Sequence, residues 1–214
     1  MSVPISIGML STMLFQVVDT YFVGQLGATQ LAALSFASTV YFLLVGLFIE
    51  LAVGVSIIIG KIAGAEETQK VKRATSIFLI LTFLIAIVLS PIGIASVEGI
   101  FSLLGANANI LPYILEYMIP LFYGMPFLAV GITCGVILRS TGNIKLPEVV
   151  FGIAGIINFF LDYVLIFGVG PFPELGIKGV AIGTVISWIF ILIAIGILLF
   201  RDRLLSFTFL RNHS

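Results

Sequence analysis

Long runs of apolar residues are the feature that most restricts what this chain can fold into. Three of them, residues 74–97, 117–138 and 179–200, contain no Asp, Glu, Lys or Arg. Three more, residues 3–24, 32–60 and 148–168, are equally apolar except for carboxylates. Each run reaches the length of about 20 residues that a helix needs to cross a bilayer. Charged residues make up only 9% of the chain, against roughly 25% in a soluble domain, so a water-soluble fold is excluded.

Membrane spans must satisfy their backbone polar groups internally, which only helices and closed barrels achieve. Barrel strands would give short alternating segments instead of solid apolar runs. The sequence therefore predicts an all-α, polytopic membrane protein with a bundle of about six transmembrane helices. The predicted spans are residues 3–24, 32–60, 74–97, 113–138, 148–168 and 177–200. The first of them has no basic segment before it and is too long for the core of a secretory signal.

The basic residues are distributed unevenly between the two ends of these spans. Nine of the ten Lys and Arg residues follow spans two, four and six, and only Lys178 lies in a loop at the other end. Basic loops face the cytoplasm, so both termini are predicted to be cytoplasmic in a multi-pass protein of the cell membrane. Residues 201–214 then form a cytoplasmic tail. This pattern orients the chain and gives no indication of nucleic-acid binding.

Two aspartates, Asp19 and Asp162, lie inside the apolar runs, where an ionised carboxylate costs at least about 2.5–3.5 kcal/mol. Asp19 lies about 7–8 Å from the outer end of span one, and Asp162 about 9 Å from the outer end of span five. If the bundle brings spans one and five together, the two side chains meet in the outer leaflet. We expect this pair to have a function, since the alternative is a carboxyl contact that only fixes helix packing.

Two further polar residues lie at a compatible depth. Asn158 precedes Asp162 by four residues and therefore shares its helix face, and Thr184 lies about 12 Å into span six. Two carboxylates, an amide and a hydroxyl are oxygen ligands suited to a hard cation such as Na⁺. Burial and mutual repulsion also favour protonation of one carboxylate near neutral pH. The four residues are candidates for a cation or proton site.

The other carboxylates near the membrane have weaker arguments. Glu50 lies about 16 Å from Lys61 along span two, near the bilayer midplane, and is a candidate for an additional protonation site or for a wet cavity. Glu116 and Glu148 lie near span ends, where we expect them to reach interfacial water. Cys134 lies in an apolar run as a small packing residue, and the single histidine, His213, lies in the tail, so a histidine-based metal site has no support.

With these residues in view, the sequence resembles the multidrug and toxic compound extrusion (MATE) family of secondary exporters. Residues 18–27 read V-D-T-x-x-V-G-x-L-G, like the family's first helix, and residues 138–147 read L-R-x-x-G-N-x-K-x-P, like its loop between helices four and five. Residues 158–166, N-x-x-L-D-x-x-L-I, resemble its fifth helix, and residues 176–184, G-x-x-G-x-A-x-x-T, the start of its sixth. The resemblance covers nearly the whole chain.

The resemblance implies that Asp19, Asn158, Asp162 and Thr184 correspond to the family's sodium or proton site in the amino-terminal lobe. It also implies export of drugs or organic cations from a cavity between two six-helix lobes, driven by Na⁺ or H⁺, with no other cofactor. Family members have twelve helices, whereas this chain has six. A second lobe or a homodimer partner is therefore expected, and residues 201–206 resemble the start of the linker between lobes. Glu50 matches no family position.

Three alternatives to a half-length drug antiporter are kept open. A flippase for lipid-linked sugars should have basic residues in its cavity, but here Lys and Arg lie at the membrane faces. A membrane protease could use Glu66 and Glu67, yet these lie in a charged loop and no span contains histidine, so we expect no enzyme. The third is a membrane subunit that does not transport.

Overall fold

Residues 17–204, which the computed structural model describes, are all-α. Residues 17–26 form helix α1. Five longer helices follow: α2 (Ala28–Gly64), α3 (Thr68–Leu103), α4 (Leu111–Ser140), α5 (Lys145–Phe167) and α6 (Ile177–Arg201). Each of these five is long and apolar enough to cross a membrane. The predicted fold class is confirmed, and residues 17–204 contain no β-strand.

Some of the sequence predictions fall outside the described residues. These are most of the first predicted span, residues 3–24, and the part of the predicted tail that follows residue 204, with Arg211 and His213.

Helices α2 and α3 are longer than the apolar runs that predicted them. α2 has 37 residues and α3 has 36. At about 1.5 Å per residue each is about 55 Å long, which exceeds the hydrocarbon thickness of about 30 Å. The polar flanks, such as the start of α3 at Thr68, continue the helix because Gln and Lys are good helix formers. The apolar runs therefore identified the membrane-embedded parts of these helices but did not predict where the helices begin and end.

Helix α4 lies at the centre of the bundle, in contact with α2, α3 and α6. In its most apolar window 67% of the residues are buried, against 17% for α3. α3 therefore presents most of its apolar surface outward, as expected where lipid is the solvent. α5 packs along α6, which separates it from most of α4.

Glycines occupy the connections that lead into and out of α5. Gly142, between α4 and α5, and Gly170, between α5 and α6, both have positive φ, a conformation that glycine adopts at low cost. Asn143 in the first of these loops donates from Nδ2 to Oδ2 of Asp202, just after α6, at 3.2 Å. The loops with the predicted cytoplasmic excess of Lys and Arg thus meet at one end of the bundle.

Helix α4 continues through two prolines, Pro120 and Pro126. Proline has no N–H, so Pro126 leaves the carbonyl of Phe122 without its usual partner within the helix. The hydroxyl of Ser90 on α3 donates to this carbonyl at 2.6 Å in a buried position. Gly93, one turn further along α3, lies directly against the ring of Phe122 and leaves no room for a side chain. The proline in α4 is thus compensated by the neighbouring helix.

We expect Ser90→Ala to lower the free energy of unfolding by about 1–2 kcal/mol, because the Phe122 carbonyl would be buried without a donor. Thermal unfolding of the chain in detergent measures this. Ser96→Ala is the matched control on the same helix, because the Ser96 hydroxyl bonds to Ile92 of its own helix. Equal effects of the two substitutions would contradict this role of Ser90.

Candidate functional site

Asp162 is the centre of the candidate site and is fully buried on α5. Asn158 lies one turn earlier on the same face and is 2% exposed. Its side-chain Nδ2 donates to Oδ1 of Asp162 at 3.2 Å. The helical spacing of four residues therefore places Asn158 on the same face as Asp162, as the sequence predicted, with its amide nitrogen rather than its oxygen against the carboxyl group.

Asp19 reaches this pair from α1. Its carboxyl group contacts that of Asp162 at hydrogen-bonding distance. Aromatic packing brings the two helices together, since the Phe22 ring contacts the α5 rings of Phe159 at 5.4 Å and Phe167 at 6.1 Å between centroids. The proximity of helices one and five, which the sequence argument assumed, is present in the structure. We call Asp19, Asn158 and Asp162 the carboxyl cluster.

Two oxygens of the carboxyl cluster have no hydrogen-bond donor within the described part of the chain. They are Oδ1 of Asp19 and Oδ2 of Asp162, and both are buried. Two ionised carboxylates in contact repel each other, and buried polar atoms rarely lack a partner. A proton or a small cation between the carboxyl groups removes both difficulties. The geometry therefore fits a positive charge bound between Asp19 and Asp162.

The composition of the cluster limits which cation it suits. Among residues 17–204 there is no group of three or more His, Cys, Asp and Glu side chains placed to hold a metal ion. Two carboxylates with an amide suit a proton or an alkali ion better than a transition metal, which prefers nitrogen and sulfur ligands.

Helix α6 approaches the cluster through Gly183, and not through the predicted ligand Thr184. A Cβ atom at Gly183 would lie 2.5 Å from Oδ1 of Asp162, so only glycine fits there. Thr184 follows, about 100° further round the helix, and is partly exposed. Its hydroxyl makes no hydrogen bond to the carboxyl cluster within the described residues. Thr184 remains a predicted ligand.

Two tyrosines that the sequence argument did not select lie near the cluster. Tyr41 on α2 interacts electrostatically with Asp19, and Tyr117 on α4 with both Asp19 and Asp162. The Tyr41 ring stacks on Trp188 of α6 at 6.3 Å between centroids, with 5° between the planes. The sequence signal was a tyrosine hydroxyl inside an apolar run. The sequence argument began from the carboxylates and did not consider it.

Glu50 does not join the carboxyl cluster. It lies nine residues after Tyr41 on α2, about 14 Å further along and about half a turn round the helix. Tyr41 packs inside the bundle against Trp188, so Glu50, half a turn away, points the opposite way, and its side chain is exposed. It does not line the interior of this bundle.

The remaining carboxylates are placed as follows. Glu116 is exposed on α4. Glu148 is only 17% exposed and forms an ion pair with Arg139 at 2.7 Å, so its carboxylate has a protein partner. Glu66 and Glu67 are exposed, and Glu67 pairs with Lys70 at 2.8 Å. Cys134 is buried as a free thiol.

Comparison with known proteins gives consistent matches. The family model MatE matches residues 4–164. The chain is 39% identical over 207 residues to the FAD transporter of Shewanella oneidensis, which covers 96% of this chain and 46% of that protein. It is 37% identical over 175 residues to the probable multidrug resistance protein YoeA of Bacillus subtilis, covering 81% of this chain and 38% of that protein.

Solved structures match with a similar coverage. A structure described as MATE in the bent conformation has a TM-score of 0.89 and 25% identity, covering all of this chain and 47% of that one. The Vibrio cholerae MATE transporter VcmN in the bent form has a TM-score of 0.89 over 98% of this chain and 47% of its own. The chain thus spans about half the length of the relatives that it matches.

We expect Gly183→Ala to displace Asp162 and to lower the free energy of unfolding by about 1–3 kcal/mol, because the new methyl group overlaps the carboxyl oxygen. Gly196→Ala is the matched control, since nothing lies within 4 Å of a Cβ atom there. It should leave stability unchanged or raise it slightly. Thermal unfolding of both variants measures the difference, and a stable Gly183→Ala protein would contradict the close approach of α6.

Proposed function

Because the chain belongs to the MatE family, we propose that it is the amino-terminal half of a secondary antiporter that exports drugs or organic cations in exchange for Na⁺ or H⁺. The observation that carries this proposal is the contact between the carboxyl group of Asp19, whose Oδ1 is buried, and that of the fully buried Asp162, inside a bundle of membrane helices. Ionisable groups at such positions mark ion pathways in transporters. We further propose that the protein lies in the cell membrane with both termini in the cytoplasm.

The coupling step follows from the chemistry of the cluster. With a proton or cation bound, the pair carries one negative charge less and the two carboxyl groups attract each other. Without it, two adjacent carboxylates repel, which favours separation of α1 from α5. Binding and release of one positive charge would thereby bias the bundle between two arrangements, as coupling requires. Thr184 is proposed as an additional ligand when Na⁺ is bound.

Glu50 is proposed as a separate protonation site. Its carboxyl group faces outward from this half, at a depth where charge is costly.

A second candidate substrate class deserves testing because one relative is an FAD transporter. FAD carries a diphosphate, which proteins bind with Lys, Arg and helix N-termini. The Lys and Arg residues of the described range all lie near helix ends or in loops, and the interior carries carboxylates instead. This half therefore favours organic cations. The same argument disfavours a lipid-linked sugar.

Asp162→Asn should abolish both Na⁺ binding and proton uptake. Asn cannot ionise, so Asp19 would lack the second carboxylate with which it shares the bound positive charge. Equilibrium binding of ²²Na⁺ and proton uptake by an indicator dye, both with purified chain in lipid nanodiscs, measure this. Glu98→Gln, which removes an exposed carboxylate from α3, should leave both unchanged. Undiminished sodium binding and proton uptake in Asp162→Asn would rule out the proposed coupling site.

Reconstituted alone in vesicles, the chain should not accumulate a fluorescent cationic drug against its gradient. Together with a complementing six-helix half it should do so, and excess FAD should not compete. Crosslinking reports whether a homodimer substitutes for the second half. Drug accumulation by chain that remains monomeric would contradict the half-transporter proposal. Competition by FAD would indicate that the substrate is a flavin and not an organic cation.

A further inference from the structure

The loop end of the α4–α5 hairpin contains an ion pair that the transport proposal does not use. Nη1 of Arg139, in the last turn of α4, lies 2.7 Å from Oε1 of Glu148, in the first turn of α5. The side chains are 36% and 17% exposed, so the pair is much better shielded from water than the 69% and 43% exposed pair of Lys70 and Glu67. Screening by solvent is weaker for such a pair.

Several other contacts hold this ion pair in one geometry. Arg139 Nε donates to the carbonyl oxygen of Gly135 at 3.3 Å, and its guanidinium carbon lies 5.7 Å from the centroid of the Phe151 ring. A Cβ atom at Gly135 would lie 3.2 Å from that ring. We call Gly135, Arg139, Glu148 and Phe151 the α4–α5 clamp. Each charge also complements the dipole of its own helix, because the cation ends α4 and the anion begins α5.

The α4–α5 clamp joins two helices that make few direct contacts, because α5 packs mainly on α6. Packing on α6 holds most of the length of α5, and the connecting loop, residues 141–144, keeps the ends of α4 and α5 close. The clamp adds a charged contact to α4 at the first turn of α5. Fourteen residues of uninterrupted helix, about 21 Å, join Glu148 to Asp162, so a tilt at one end displaces the other.

We propose that Arg139 and Glu148 are positioning residues that hold α5 at the tilt where Asp162 meets Asp19. The effect on ion binding rests on the proposed function of the carboxyl cluster, whereas the effect on helix position does not. The pair acts through α5 and does not touch the bound ion. Its role is electrostatic, which distinguishes it from simple packing. Neutralising one charge should disturb the position of α5, and reversing both charges should restore much of that position.

Helix position is measured by the distance distribution between spin labels in nanodiscs. Labels on Gln25→Cys of α1 and Ile156→Cys of α5, both exposed positions, report how α5 sits against α1, in a Cys134→Ala background. Glu148→Gln and Arg139→Gln should each broaden or shift this distribution. The double reversal Arg139→Glu with Glu148→Arg should narrow it again, although incompletely, because both reversed charges oppose the helix dipoles.

Ion binding is measured on the same variants without labels. Glu148→Gln should weaken ²²Na⁺ binding or proton uptake roughly tenfold, a typical coupling between separate sites. The reversed pair should recover most of it, and Lys70→Gln, which breaks the exposed ion pair, should change nothing.

An unchanged label distribution in Glu148→Gln, or one that the reversed pair fails to restore, overturns the positioning role. A changed distribution with unaltered ion binding also overturns the link to the carboxyl cluster. If the unmodified chain binds neither ion, the proposed function fails, while the label distances still decide whether the clamp positions α5.

Discussion

The contact between two carboxyl groups inside a membrane bundle is the interaction on which the rest of this structure depends. A single charge at that depth costs at least about 2.5–3.5 kcal/mol, and two adjacent like charges add repulsion. The fold limits this cost by placing the Asn158 donor on Asp162 and by bringing Asp19 close enough for one proton or cation to serve both. Helices α1 and α5 are therefore held in a defined register.

Small residues make such a register possible, because without water there is little hydrophobic force between membrane helices and close packing must replace it. Gly179 of α6 lies against the backbone of Leu165, and Gly183, one turn later, lies against Asp162. The same principle acts between α3 and α4, where Gly93 accommodates the Phe122 ring while Ser90 satisfies the carbonyl that Pro126 leaves free. The carboxyl cluster is thus enclosed by helices whose backbones approach one another closely.

Different parts of this arrangement were visible in the sequence for different reasons. The helices and the two aspartates were predictable, because apolar length and a misplaced carboxylate are local signals. The contact of Asp19 with Asp162 needed the tertiary arrangement, since depth alone does not place two helices side by side.

Gly183 was missed although its spacing from Gly179 is typical of close helix packing. Tyr41 and Tyr117 were missed because their role depends on which way α2 and α4 are rotated. The extent of α2 and α3 beyond the membrane was not predictable from apolarity, because apolar residues mark only the part of a helix that lies in lipid.

Glu50 differs from the residues of the carboxyl cluster because the described helices do not enclose its side chain. The cluster residues face one another between the described helices, but Glu50 lies about half a turn from Tyr41 and faces away from them. Ionisable residues at this depth face a protein interior or a water-filled cavity, because contact with lipid is too costly. The outer face of α2 is therefore the surface that needs protein or water against it.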